Sequence, residues 1–227
     1  GHTYLYNDAL SILAQEIDQG ALGKIFYFDM HRTNLGIART DVNAWWNLAP
    51  HDVSILLRLR GNQLPKDVTA RGDDFIQKGI EDTVFARLAW EDGVVAHIHV
   101  SWLSPDKVRR MIVVGSRKMA VLDELAPNPV SIYDKGIDLM PDESLRRDYD
   151  DFSGTQLVHR IGKVAHPDIS SSEPLASEVE DFLDCIKSGA TPFANAKRGR
   201  DVVAVLAAGE ESLKSGGIPV CPISENT

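Results

Sequence analysis

The sequence predicts an α+β fold, an open and mostly antiparallel sheet with helices on one face, and three observations predict it. From Val68 to Leu122, strand-like segments follow one another through turns as short as Glu91-Asp92-Gly93, and a parallel crossover needs a dozen residues or more. Helical stripes fall before and after this region, at Leu10, Leu13, Ala14 and Ile17, then around residue 50, and again in the last third of the chain. No internal repeat or low-complexity tract interrupts the 227 residues, a length that suits one large domain with an added segment.

Taken in order, Asn7 to Gln19 has the spacing of an amphipathic helix, with Gly20 and Gly23 bracketing its end. Lys24 to Arg32 alternates as a strand, with Ile25, Tyr27, Asp29 and His31 on one face and Phe26, Phe28, Met30 and Arg32 on the other. Asn34 to Asn43 reads as a polar loop. An apolar helix follows around His51 and stops at Gly61, which suits a C-terminal cap. Thr83 to Trp90, Val94 to Trp102 and Arg109 to Gly115 suit extended strands, and Lys118 to Glu124 and Val130 to Tyr133 add two shorter ones. The polar interval Asp134 to Ser172 is expected to be a long excursion holding one short hairpin. Leu175, Val179, Phe182, Leu183 and Ile186 form a helical stripe with Pro174 in the first turn and Gly189 as its stop. Val202, Val205, Leu206 and Leu213 form another, on which Gly209 weakens the helix slightly but permits close packing.

A 43% hydrophobic and 25% charged composition is that of a globular chain with a sizeable core. The net charge of −9, with no Lys or Arg run longer than two, argues against a nucleic-acid phosphate partner or an anionic membrane surface. Cys185 and Cys221 lie far apart without CxxC spacing, which suits reduced thiols in the cytoplasm. No stretch approaches membrane-spanning length. The chain opens on Gly1-His2-Thr3-Tyr4 without a methionine or a leader, so it reads as a segment entered within a longer protein.

The residues with most chemical promise lie in Trp45-Trp46-Asn47-Leu48-Ala49-Pro50-His51-Asp52. Here His51 is expected at the opening of an apolar helix, where the helix dipole favours the neutral imidazole, and Asn47 shares its helical face one turn earlier. Two readings stay open on this chemistry alone: a capping or core histidine satisfied by a backbone carbonyl, and an acid–base residue walled by the tryptophans. His97 and His99 stand at i and i+2 on one strand face; such a pair can chelate a metal, but no carboxylate or cysteine motif accompanies it, and a polar sheet face or a subunit interface is the simpler reading. Arg32, Arg39, Lys107, Arg109 and Arg110 cluster near loops, as solvated charge or as anion ligands. In Ser101-Trp102-Leu103-Ser104-Pro105-Asp106-Lys107 an aromatic, hydroxyls and a cation crowd a strand end, a mixture that suits a sugar face beside an anionic group. No GxGxxG, GxxxxGK[ST] or GxSxG motif occurs, so redox chemistry would need a cofactor bound elsewhere.

Several segments in sequence order resemble the C-terminal domain of the glucose–fructose oxidoreductase, inositol dehydrogenase and rhizopine-catabolism (Gfo/Idh/MocA) family. They are Gln19-Gly20-Ala21-Leu22-Gly23-Lys24-Ile25, Asn47-Leu48-Ala49-Pro50-His51-Asp52, Gly79-Ile80-Glu81-Asp82, Ser101 to Arg109, Val114 to Met119 and Glu173-Pro174-Leu175. The flavour is similar to the sugar-nucleotide dehydrogenases of polysaccharide biosynthesis. The resemblance implies a glyceraldehyde-3-phosphate dehydrogenase-like C-terminal domain without its Rossmann domain. Residues 1–22 would be a junction helix from that missing domain, and residues 23–227 a substrate-binding and oligomerisation domain. It implies NAD or NADP held mainly by the absent domain, and a sugar or nucleotide-sugar substrate. A lysine of a Glu-Lys-Pro motif in the absent domain would act with an Asp-x-x-x-His of this one. His51 matches that histidine, and Asn47 departs from the aspartate. The implied substrate contacts are Asn47, Arg32, Arg39, Lys107, Arg109 and Trp102. The open sheet face, with Phe85, Arg87, His97 and His99, is implied to pair subunits into a homodimer or homotetramer. The chain alone is expected to be inactive. A stand-alone ligand-binding or assembly module is the rival reading, and a metal-dependent enzyme built on His97 and His99 a third.

Overall fold

A computed structural model describes residues 1–141, 155–170 and 172–222. Among them, eight strands form one sheet: β1 (Ile25–Thr33), β2 (Asp67–Asp73), β3 (Thr83–Ala89), β4 (Val95–Ser101), β5 (Val108–Gly115), β6 (Met119–Asp123), β7 (Val130–Pro141) and β8 (Thr155–Ala165). Their spatial order is β2-β3-β4-β1-β5-β6-β7-β8. A short 3₁₀ helix (Thr3–Tyr6) precedes α1 (Asp8–Asp18), α2 (Ala44–Leu59), α3 (Pro174–Ser188) and α4 (Ala196–Lys214). This is the open, mostly antiparallel α+β arrangement that the short turns predict.

One pairing departs from that rule. β1 lies between β4 and β5, parallel to β4 and antiparallel to β5. The short link from β4 to β5 therefore spans a strand instead of making a hairpin, and the early strand β1 becomes central. A register shift between Ile25 and Tyr27 also breaks the strict alternation expected there: Ile25 turns inward and Phe26 outward, as a bulge permits. The excursion after Tyr133 is more regular than expected, because β7 and β8 pair from Ile132 to Pro141; residues 142–154 and 171 of that interval lie outside the described residues.

The core sits between one sheet face and the helices. Phe28, Met30, Val84, Leu88, Ala96, Ile98, Val100 and Val113 meet Leu10, Leu13, Trp45, Val53, Leu56, Val205 and Leu206 in one cluster. Asn7, Asn43 and Asn195 cap α1, α2 and α4 by accepting backbone N–H groups on their side chains, and Glu173 does so for α3. Gly209 of α4 is required by its neighbour, since a Cβ there would stand 2.6 Å from the fully buried indole of Trp45.

Helix α3 has the expected periodicity and stop but is open to solvent. Its apolar stripe forms a regular helix capped by Gly189 at φ 75°, yet none of its residues is buried. A large apolar side chain forgoes about 1.5–3 kcal/mol when it stays in water, so this face is an energetic debt within the described residues. No described helix is long and apolar enough to cross a membrane, and both cysteines are free thiols.

Candidate active site

Asn43 caps α2, so the helix begins at Ala44 and His51 lies in its middle. The expectation of a histidine at a helix entrance is thus corrected, and so is the dipole argument built on it, since that effect fades within the first turn. Pro50 is inside the helix, where its missing N–H leaves the Trp46 carbonyl without the usual partner. Asn47 and His51 remain one turn apart on a common face.

His51 has a different reason to be neutral. Burial pushes its imidazole down to about 4, aided by the positive charges of Arg32, His2 and Arg109. The Tyr4 ring lies against it, centroid to centroid 4.8 Å, tilted by 59°. Asn47 accepts the indole N–H of Trp102 on Oδ1 at 3.0 Å.

Behind His51 is a buried charge network. Arg32 is only 3% exposed; its Nε donates to both carboxylate oxygens of Asp52 at 3.1 and 2.9 Å. One terminal nitrogen donates to the Tyr4 hydroxyl at 3.3 Å and the other to Glu124 Oε1 at 3.2 Å. The guanidinium also lies over the Tyr4 ring at 4.8 Å, a cation–π contact. Burial opposes the Arg32 charge, but Asp52 and Glu124 more than offset it, and the guanidinium titrates above its ordinary value. Burial lifts the Glu124 carboxyl above the usual range against the pull of Arg32. Burial likewise lowers Arg109 below its ordinary value, with Arg32 adding to the effect.

The residues expected to bind substrate separate into three groups. His51, Asn47 and Arg109 stand together around the network. Arg32 and Trp102 are also there, but as buried structure: Arg32 is saturated by Asp52, Glu124 and Tyr4, and Trp102 is 2% exposed with its indole N–H given to Asn47. Neither presents a free face to a sugar or an anion. Arg39 is surface-exposed and clamped on Asp41 by two hydrogen bonds of 2.8 and 2.5 Å, and Lys107 is exposed on the β4–β5 link. Arg109 donates to the carbonyls of Thr33 and Val108 and to Asn34 Oδ1, which ties it to the loop after β1. Tyr4 and Glu124 went unassigned in the sequence. The aromatic opening Tyr4-Leu5-Tyr6 was the available signal for the first; the second had none, since it meets Arg32 only through the β5–β6 pairing.

His99 stacks on Phe85 at 4.1 Å and meets His31 edge-on at 5.5 Å, on the sheet face away from the helices. Among the described residues, no group of three or more His, Cys, Asp or Glu side chains is placed to hold a metal ion. Among the described residues, the N-termini of α1 to α4 are each occupied by their own capping side chains, and the single parallel strand pair there, β1 with β4, carries no glycine-rich turn of the kind that seats a pyrophosphate.

Residues 12–121 match the family model described as the GFO/IDH/MocA C-terminal domain. A curated relative, UDP-N-acetylglucosamine 3-dehydrogenase of Acidithiobacillus ferrooxidans, is 27% identical over 194 residues, which are 84% of this chain and 55% of the relative. The crystal structure of that enzyme superposes with a TM-score of 0.71 at 24% identity, covering 95% of this chain and 61% of its own. The WlbA dehydrogenase of Bordetella pertussis, solved with NADH and UDP-GlcNAcA, gives 0.67 at 19% identity, covering 96% and 61%. Aldose-aldose oxidoreductase of Caulobacter crescentus, solved with glycerol, gives 0.74 at 13% identity, covering 97% and 62%. The chain thus spans little more than half the length of these relatives. Through residues 12–121, a little under half of its length, the chain is similar to the GFO/IDH/MocA C-terminal domain family.

Proposed function

We propose that this chain is the substrate-binding and oligomerisation part of an oxidoreductase that acts on a hydroxyl of a sugar, most specifically of a nucleotide sugar. The observation that carries the reading is His51, held neutral by burial and by Arg32, one turn from Asn47 in a domain similar to this family's. A neutral imidazole accepts a hydroxyl proton, while the Asn47 amide orients the sugar by hydrogen bonding. Arg109 supplies positive charge for an anionic part of the substrate, and Lys107 and Arg39, exposed on the loops after β4 and β1, are further cations it could meet. Arg32 and Trp102 serve as supports, the first beneath His51 and the second beneath Asn47.

In this reading the redox half belongs to NAD or NADP on a further domain, as the resemblance to the family implies, with residues 1–22 as the junction to it and residues 23–227 as the substrate domain. The chain alone is accordingly inactive and cytoplasmic. The sheet face bearing Phe85, Arg87, His97 and His99 pairs copies into a homodimer or homotetramer, and a strictly monomeric mass at micromolar concentration counts against this.

The full-length protein, supplied with UDP-N-acetylglucosamine and NAD or NADP, tests the reading through reduced-nicotinamide absorbance. His51→Gln is expected to retain nucleotide-sugar binding in a thermal-shift panel and to lower kcat about 10²–10⁴-fold. A variant as fast as the parent, or a panel in which no nucleotide sugar shifts the melting transition, overturns it.

A further inference from the structure

Asn47 is held from two directions, and both lead to one pair of neighbours, Glu81 and Asp82, just before β3. The first direction runs through the start of α2. The Glu81 carbonyl accepts the N–H of Ala44, the first residue of that helix, at 2.8 Å. The Glu81 carboxylate accepts from Asn43 Nδ2, also at 2.8 Å. Asn43 in turn accepts the Trp46 N–H on Oδ1 and the Asn47 N–H on its carbonyl, each at 3.1 Å. The second direction runs through Trp102. The carbonyl of Asp82, a fully buried residue, accepts the Trp102 N–H at 3.0 Å, and the Trp102 carbonyl accepts the Gly36 N–H at 3.1 Å. The indole fixed in this way is the one that donates to Asn47 Oδ1.

Capping needs only the Asn43 oxygen. The donated NH₂ adds nothing to the cap itself; it settles which end of the amide faces the helix, since only the oxygen can accept an N–H. Glu210 Oε2 accepts from the same nitrogen at 3.1 Å, but Glu210 belongs to α4 and is paired with Lys214 at 3.0 Å. Glu81 is the acceptor that shares a segment with Asp82, so it ties the cap of α2 to the seat of Trp102.

We infer that Glu81 is a positioning residue for Asn47. It fixes the first turn of α2 against the segment that holds Trp102, which keeps the Asn47 oxygen on the indole and leaves the Asn47 NH₂ for a sugar hydroxyl. The sugar-facing half of this inference rests on the functional reading above, and the indole-facing half does not.

Exchange of the Trp102 indole N–H, followed by NMR in this chain and assigned by its loss in Trp102→Phe, tests the indole-facing half. Glu81→Ala is expected to speed that exchange about three-fold or more. Glu81→Gln, which retains an oxygen for Asn43, is expected to match the parent. Asn43→Ser keeps a capping oxygen and loses the NH₂, so it is expected to behave as Glu81→Ala does, and it decides the test if Glu81→Ala fails to fold. In the full-length protein, Glu81→Ala is expected to raise the KM for UDP-N-acetylglucosamine about three- to ten-fold, with kcat within about two-fold of the parent and the acid limb of kcat/KM unmoved. Unchanged indole exchange in Glu81→Ala and Asn43→Ser overturns the positioning role and leaves the functional reading standing. Faster exchange that Glu81→Gln shares in full overturns it as well, because the acceptor oxygen is then not what matters. Faster exchange with an unchanged KM overturns the link to the sugar. A full-length protein that binds no nucleotide sugar overturns the functional reading, and the sugar-facing half of this inference with it.

Discussion

Trp102 and Asn47, 55 residues apart in sequence, are joined by one hydrogen bond of 3.0 Å from the indole N–H to the amide oxygen. An indole N–H only donates, so the oxygen of Asn47 must face it and the NH₂ group must turn the other way. Position 47 therefore offers donors to a ligand. An aspartate there would still accept from Trp102 but would offer no donor.

Asn47→Ala is expected to destabilise the chain by about 1–3 kcal/mol, because it strands a buried indole N–H. Asn47→Asp should recover most of that loss and, in the full-length protein, raise the KM for the sugar substrate with a smaller change in kcat. Urea denaturation and steady-state kinetics check the two halves. Equal losses of stability for Ala and Asp would show that the Trp102 bond carries no weight.

Gly209 against Trp45 sets helix propensity against packing. Replacing a mid-helix glycine by alanine normally gains up to about 1 kcal/mol. Here the new Cβ would lie 2.6 Å from an indole that is fully buried and fixed by its N–H bond to the Leu206 carbonyl at 2.9 Å. Overpacking of this kind costs about 1–3 kcal/mol, so Gly209→Ala is expected to lower the melting temperature. Trp45→Phe in the same background should relieve part of the loss, and an unchanged or raised melting temperature for Gly209→Ala alone would contradict the contact.

Short-range signals in the sequence were reliable, and long-range ones were not. The turn Glu91-Asp92-Gly93 does join antiparallel partners, and Gly189 does stop α3. The insertion of β1 between β4 and β5 leaves no local trace, because pairing partners far apart in the chain are chosen by the whole core. The apolar run around His51 hides the true start of α2, which the Asn43 cap sets at Ala44. His51 kept its chemistry but changed its cause, from a helix dipole to burial and the buried cation of Arg32. The Trp102 stretch read as a sugar platform because aromatic and polar residues alternate at the strand end; the pleat turns the indole inward. The α3 stripe was sound as periodicity, but periodicity cannot say whether the covering surface lies within the same 227 residues.

The Arg32 network predicts a large effect of one substitution and a small effect of two. Arg32→Ala leaves the Asp52 carboxylate, 3% exposed, without its partner, and breaking a buried pair costs about 3–5 kcal/mol. Replacing both groups by apolar residues of similar volume, Arg32→Met with Asp52→Leu, should return most of that stability, since neither charge then remains to be desolvated. Glu124, whose side chain is 17% exposed, retains access to water and limits the residual loss. Chemical denaturation of the two single variants and the double variant checks this; a double variant as unstable as the sum of the singles would show that the network contributes more than mutual compensation.

His51 provides the pH dependence. Burial, then the charge of Arg32, lowers its pKa from 6.5 to about 4 in the folded chain, so the folded state binds this proton less readily than the unfolded state. The stabilisation it gives is complete above pH 6.5 and is lost as pH falls through about 4. With part of the ring open to solvent, screening reduces the effect to roughly 1–2 kcal/mol. His51→Asn carries no such proton. The stability of the parent relative to this variant is therefore expected to fall by that amount between about pH 7.5 and pH 4. In the full-length protein, the acid limb of kcat/KM should lie nearer 4 than 6.5, because that limb reports the free enzyme's base. An imidazole that titrates near 6.5 by NMR, with a flat stability difference across the range, would mean that His51 is open to water and that Arg32 does not act on it.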